Sequence, residues 1–131
     1  MRTTLLAALL LSALPATAQD LMTADEFEAY ATGKTLTYSA GGSIFGVEQY
    51  LPNRRVRWAF TDDICRDGYW YEEAGLICFV YEHDGTPQCW SFWTEGDSLR
   101  ARFENDPEGT ELSEVEASDG PLICAGPDVG V

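Results

Sequence analysis

Few side chains in this sequence could do chemistry. The one histidine, His83, stands in the run Glu82-His83-Asp84-Gly85-Thr86. A histidine flanked by carboxylates can act as a general base oriented by a neighbouring acid. Such a base must serve a nucleophile and donors for a developing oxyanion, and no segment marks either. The sequence also carries no G-x-S-x-G, H-E-x-x-H, phosphate-loop or dinucleotide fingerprint. His83 therefore reads as an exposed turn residue, and no catalytic residue is assigned.

Cys65, Cys78, Cys89 and Cys124 are the next candidates. Redox or metal chemistry would call for a C-x-x-C pair, a thiol at a helix N-terminus, or a set of histidine partners. None is present, so no metal or cofactor is expected. An even number of cysteines in an exported chain reads instead as a pair of structural disulfides.

Acidic residues cluster at Asp62-Asp63, at Glu72-Glu73 and from Glu104 to Glu108. Two carboxylates facing across a cleft can hydrolyse a glycoside, and oxygen ligands can hold calcium. No stretch has the spacing of a calcium loop, and acidic pairs at strand ends are usually solvated turns. Arg54, Arg55 and Arg57 are three of only eight basic residues. On an extended strand Arg55 and Arg57 share a face that could hold a carboxylate or phosphate, or pair with the chain's own acids.

Aromatics are the remaining feature. Trp58, Trp70, Trp90, Phe45, Phe60, Phe79, Phe92 and Phe103 recur at alternating positions. In a small β-barrel such rings either fill the core or line a cavity for one small ligand. Trp58, Trp70, Phe79, Trp90 and Phe92, with Arg55 and Arg57, are the ligand-binding candidates.

The elements that must position these residues follow from periodicity. Residues 1–18 have a basic start, an apolar run from Leu5 to Leu14 and an Ala16-Thr17-Ala18 cleavage site, as a secretory signal peptide does. The expectation is a periplasmic or secreted chain that does not span the membrane. The mature part, 19–131, is expected to be a single β domain with an extended C-terminal tail. The net charge of −14 argues against nucleic acid and leaves a basic protein as a partner to consider.

A short helix is expected within 19–33, opened by the capping box Thr23 to Glu26 and carrying Phe27, Tyr30 and Ala31 on one face. Alternation then predicts strands at 34–39, 43–50, 55–61, 64–72, 75–82, 87–95, 98–104 and 110–116. Short breakers separate them, which is the signature of an antiparallel up-and-down meander forming a small barrel or half-barrel. Within 64–95, Trp70, Ile77, Phe79, Tyr81, Trp90 and Phe92 fall on one face, the better core candidate. Cys65, Cys78 and Cys89 fall on the other, which the helix and the tail could cover.

Four cysteines allow three pairings. A four-residue loop from Glu82 to Gly85 sets Cys78 opposite Cys89, whereas a two-residue turn at Asp84-Gly85 sets them on a diagonal. The preferred pairing is Cys78–Cys89, which leaves Cys65–Cys124 to pin the tail.

The run "YATGKTLTYSAGGSIFGVEQYLPNRRVRWAF", followed by "GYWY", "GLICFVYE" and C-W-x-F, resembles small exported proteobacterial proteins of a domain-of-unknown-function family. The likeness covers about residues 30–95 and implies a lipocalin-like or other calycin-like plan. It carries no activity to individual residues. Gly68-Tyr69-Trp70 is the stretch nearest to the lipocalin G-x-W, and it lies in mid-chain.

The function expected from all this is an exported, non-enzymatic binding module for a small apolar or amphipathic ligand. An acidic interaction or inhibitor protein for a basic envelope partner is the second reading, and a carboxylate-based hydrolase the third.

Overall fold

The computed structural model describes residues 20–61 and 64–124. The signal-peptide segment and the Asp62-Asp63 pair lie outside the described residues. One helix, α1 (Ala24–Ala31), precedes eight strands: β1 (Thr35–Ala40), β2 (Ser43–Leu51), β3 (Arg55–Phe60), β4 (Arg66–Glu73), β5 (Leu76–Tyr81), β6 (Asp84–Glu95), β7 (Ser98–Phe103) and β8 (Glu111–Ser118). Each strand pairs antiparallel with the next, and β1 pairs with β8, so the meander closes into a barrel with no free sheet edge.

α1 starts as its capping box dictates. Thr23 accepts from the Glu26 N–H, and Glu26 accepts from the Thr23 N–H, which satisfies two donors that the first turn leaves open. An eight-residue helix is marginal in isolation, so docking must stabilise it. It docks on the inner face of the barrel, not over the cysteine face. Phe27 is fully buried and meets Phe92, Trp70 and Tyr50 at ring-centroid distances of 4.4, 5.1 and 5.5 Å. The helix thus closes the end of the barrel where β1 starts and β2 ends. The backbone bond from the Gly33 N–H to the Tyr50 carbonyl fixes it there.

The core lies inside the barrel. Leu36, Tyr38, Tyr50, Val56, Trp70, Ile77, Phe79, Phe92, Leu99, Ala101 and Leu112 fill it with Phe27. Two glycines let bulky neighbours approach. A Cβ on Gly46 would stand 2.3 Å from the Trp58 ring, and one on Gly68 would stand 2.4 Å from the Val80 carbonyl oxygen.

Both disulfides match the preferred pairing. Cys78 is directly opposite Cys89, with Cα atoms 3.9 Å apart. The turn that achieves this is neither of the two expected. Tyr81 pairs with Asp84, so Glu82 and His83 form the turn, and a register shift between Phe79 and Tyr81 then absorbs the extra residues of β6. Bulges of this kind leave no period-two signal.

Cys65–Cys124 joins the start of β4 to the tail, with Cα atoms 5.4 Å apart. Between β8 and Cys124 the tail crosses the outer face of β1 and β2. Thr35 donates to the Gly120 carbonyl there, and the Leu122 N–H donates to the Gln49 side chain.

Candidate functional site

At the end of the barrel opposite α1 the core is not filled. A cavity of about 90 Å³ opens there, lined by side chains from seven strands and the β5–β6 turn. Alternation explains the lining, because inward positions of β2, β3, β5 and β6 place Glu48, Tyr50, Trp58, Phe79, Tyr81, Trp90 and Phe92 on one surface. Phe45 and Phe60 stand at the rim and pack against Trp58, with ring centroids at 5.8 and 5.3 Å. His83 and Gln88 also border the opening. Phe79 and Phe92 separate the cavity from Phe27, so the helix forms the floor's support and not its wall.

The polar centre is a carboxyl group. Glu48 is 2 % exposed. The Tyr81 hydroxyl, reaching across from β5, donates to Glu48 Oε1 at 2.8 Å. Glu48 Oε2 is buried and has no hydrogen-bond partner among the described residues. Desolvation pushes the Glu48 carboxyl up to about 8, only partly opposed by the bond from Tyr81. Tyr38 and Tyr50 share a hydroxyl–hydroxyl bond of 2.7 Å. Burial raises both phenols and Tyr81 well above the ordinary tyrosine range, so all three stay neutral.

Of the sequence candidates, Trp58, Phe79, Trp90 and Phe92 come together on this cavity. Trp70 is buried lower, between Phe27 and the Arg54 guanidinium, which sits 4.5 Å from its ring. Arg55 and Arg57 are elsewhere. Arg57 pairs with Asp67 on the outer face at 2.7 Å, and Arg55 is exposed beside Tyr69. Arg54 pairs with Glu28 of α1 at 2.7 Å.

Among the described residues nothing assembles the acidic clusters into a paired site, and Asp62-Asp63 lie outside those residues. Glu72 accepts from the Gly75 N–H in the β4–β5 turn, and Glu104 accepts from Ser91. No group of three or more potential metal-ligating side chains occurs among the described residues.

Glu48, Tyr38 and Tyr50 are the residues that sequence reasoning missed, and Tyr81 was placed on the core face but not among the binding candidates. A signal was present in "FGVEQY". Gly46, Glu48 and Tyr50 share one strand phase, so a charged residue sits in the same phase as a core tyrosine. The cross-strand partner of Glu48 is Trp58, which sets the carboxyl beside the largest ring of the cavity. Comparison with protein-family models, curated proteins and solved structures returns no match for this chain, so the functional reading rests on the geometry of the cavity.

Proposed function

We propose that this chain is an exported, calycin-like binding module that holds a small amphipathic ligand in the open end of its barrel and carries out no reaction on it. The observation that carries the reading is the combination of an aromatic-walled cavity and one buried, half-satisfied carboxyl in its lining. Small-ligand sites are built this way: apolar walls supply most of the contact, and a few polar groups fix orientation. The size limits the occupant. A cavity of about 90 Å³ accepts a single ring or a short chain, and the remainder of a larger ligand would lie on Phe45 and Phe60 at the rim.

Two disulfides support an oxidising compartment. No helix among the described residues is long and apolar enough to cross a membrane. Placement in the periplasm is part of the proposal and rests on the leader sequence at residues 1–18.

Trp58 and Trp90 in the cavity wall make binding visible. Titration with the neutral lipophilic probe N-phenyl-1-naphthylamine, followed by tryptophan emission, is expected to give a saturable change that is the same at low and high salt. Binding of a basic protein that weakens steeply with added salt would favour the acidic surface as the binding element instead. No signal at either salt concentration would refute the cavity reading.

A further inference from the structure

Resting on the cavity reading above, we infer that the preferred ligand is a small organic amine: an ammonium group meets Glu48 Oε2, and a single apolar ring or short chain lies between Trp58 and Trp90. Charge sign selects the ligand. Beside the aliphatic Ala101 and Leu112, and Gln88 and His83, the cavity lining is a carboxyl group, phenols and aromatic rings. Glu48 brings a carboxyl whose Oε2 lacks a partner among the described residues. Tyr38 and Tyr50 bring phenolic oxygens already bonded to each other. Trp58, Trp90, Phe45 and Phe60 bring aromatic rings, whose faces attract cations. Among the lining residues no lysine or arginine occurs, and His83, at the opening, is the one side chain that can carry a positive charge. A carboxylate or phosphate ligand would enter with no countercharge at the cavity centre. An ammonium supplies three donors to the carboxylate formed when Glu48 gives up its proton, whose Oε2 has no other partner among the described residues.

The inference carries a pH signature. The titratable groups that face Glu48 are Tyr81 from β5, Tyr38 from β1 and Tyr50 from its own strand, with His83 at the opening; Tyr30 of α1 is turned to Glu114 of β8. All three facing tyrosines are held neutral by burial, so among the groups facing Glu48 inside the cavity only Glu48 changes charge; the pH comparison is made in a His83→Gln chain, which removes the titratable group at the opening. The empty site keeps its proton up to about pH 8. An ammonium must displace that proton, so its affinity rises with pH, approaching about tenfold per unit below pH 8. A neutral ligand releases no proton and shows no such rise.

The test compares three single-ring ligands by calorimetric or fluorescence titration of the full chain with both disulfides formed: benzylamine, benzyl alcohol and benzoate. The expected result is benzylamine at least tenfold tighter than either of the others at pH 7.5. Its affinity should climb from pH 5.5 to 7.5, while that of benzyl alcohol stays level. Glu48→Gln is expected to abolish both the amine preference and the rise of benzylamine affinity with pH. If that variant does not fold, the pH comparison in the His83→Gln chain decides alone. Equal binding of amine and alcohol, tighter benzoate, or benzylamine affinity that is flat with pH overturns the amine inference and leaves the cavity reading standing. No binding of any of the three at millimolar concentration overturns both.

Discussion

The Tyr81 hydroxyl and Glu48 Oε1 meet at 2.8 Å across the interior of the barrel, joining β5 to β2 from positions 33 residues apart in sequence. This bond satisfies one oxygen of a buried carboxyl that lines the aromatic-walled cavity, and the other oxygen has no partner among the described residues. A buried acid of this kind is costly in its charged form, and its retention in a core of rings is what singles out this end of the barrel.

The first prediction follows from linkage. Glu48 titrates near 8 in the folded chain against 4.5 for a free carboxyl. Between those values the folded state binds more protons than the unfolded state, so stability falls as pH rises through the window. In Glu48→Gln that loss is absent. The stability difference between the native chain and the variant should change by on the order of 4 kcal/mol from pH 4.5 to pH 8, read by urea denaturation at several pH values.

Gly46 controls the shape of the cavity wall. A Cβ there would lie 2.3 and 2.4 Å from two Trp58 ring atoms and 2.8 Å from the Ala59 carbonyl oxygen. Gly46→Ala must therefore displace the indole. Overpacking of this kind costs about 1–3 kcal/mol, and the variant is expected to show altered tryptophan emission and weakened probe binding.

The β4–β5 hairpin holds a correctable strain. Glu73 pairs with Leu76 across a two-residue turn in which Ala74 and Gly75 both have positive φ, at 51° and 80°. Such turns favour glycine or asparagine at both positions, and an alanine there is disfavoured by about 1–2 kcal/mol. Ala74→Gly or Ala74→Asn should raise the melting temperature without affecting ligand binding.

The two disulfides should contribute unequally. Cys65–Cys124 spans 59 residues and Cys78–Cys89 spans 11. Loop-closure entropy assigns them about 4 and about 3 kcal/mol respectively. Replacing Cys65 and Cys124 by serine should lower stability more than replacing the other pair. Hydrogen exchange should also show the Leu122 amide, now bonded to Gln49, losing protection.

Much of this fold was written in plain periodicity. All eight strands fall within a few residues of their expected bounds, because alternation over six or more residues is a strong local pattern. The capping box fixed the start of α1, and strand phase brought Cys78 and Cys89 together. The helix's place inside the barrel was not legible: Phe27 buries as well on either face of a sheet, and only closure makes an open end for it to plug. The β5–β6 turn was missed because the register shift between Phe79 and Tyr81 breaks the period on which the count depends. The aromatic part of the site was visible at Trp58, Phe79, Trp90 and Phe92, whereas Trp70 differs from them only in its height along the barrel axis, which alternation does not encode. Glu48 was hidden by its charge, since a glutamate on a strand is ordinarily assigned to solvent.

The account stands on the open end of the barrel being a binding cavity, and the most direct measurement is nuclear Overhauser contact between benzyl alcohol and the protein. The prediction is contacts to the indole protons of Trp58 and Trp90 and to the Tyr81 ring, all of which line the cavity. Contacts confined to Trp93, Tyr69 or Tyr71, which do not line it, or saturation of the barrel with no contact to Trp58 and Trp90, would contradict it.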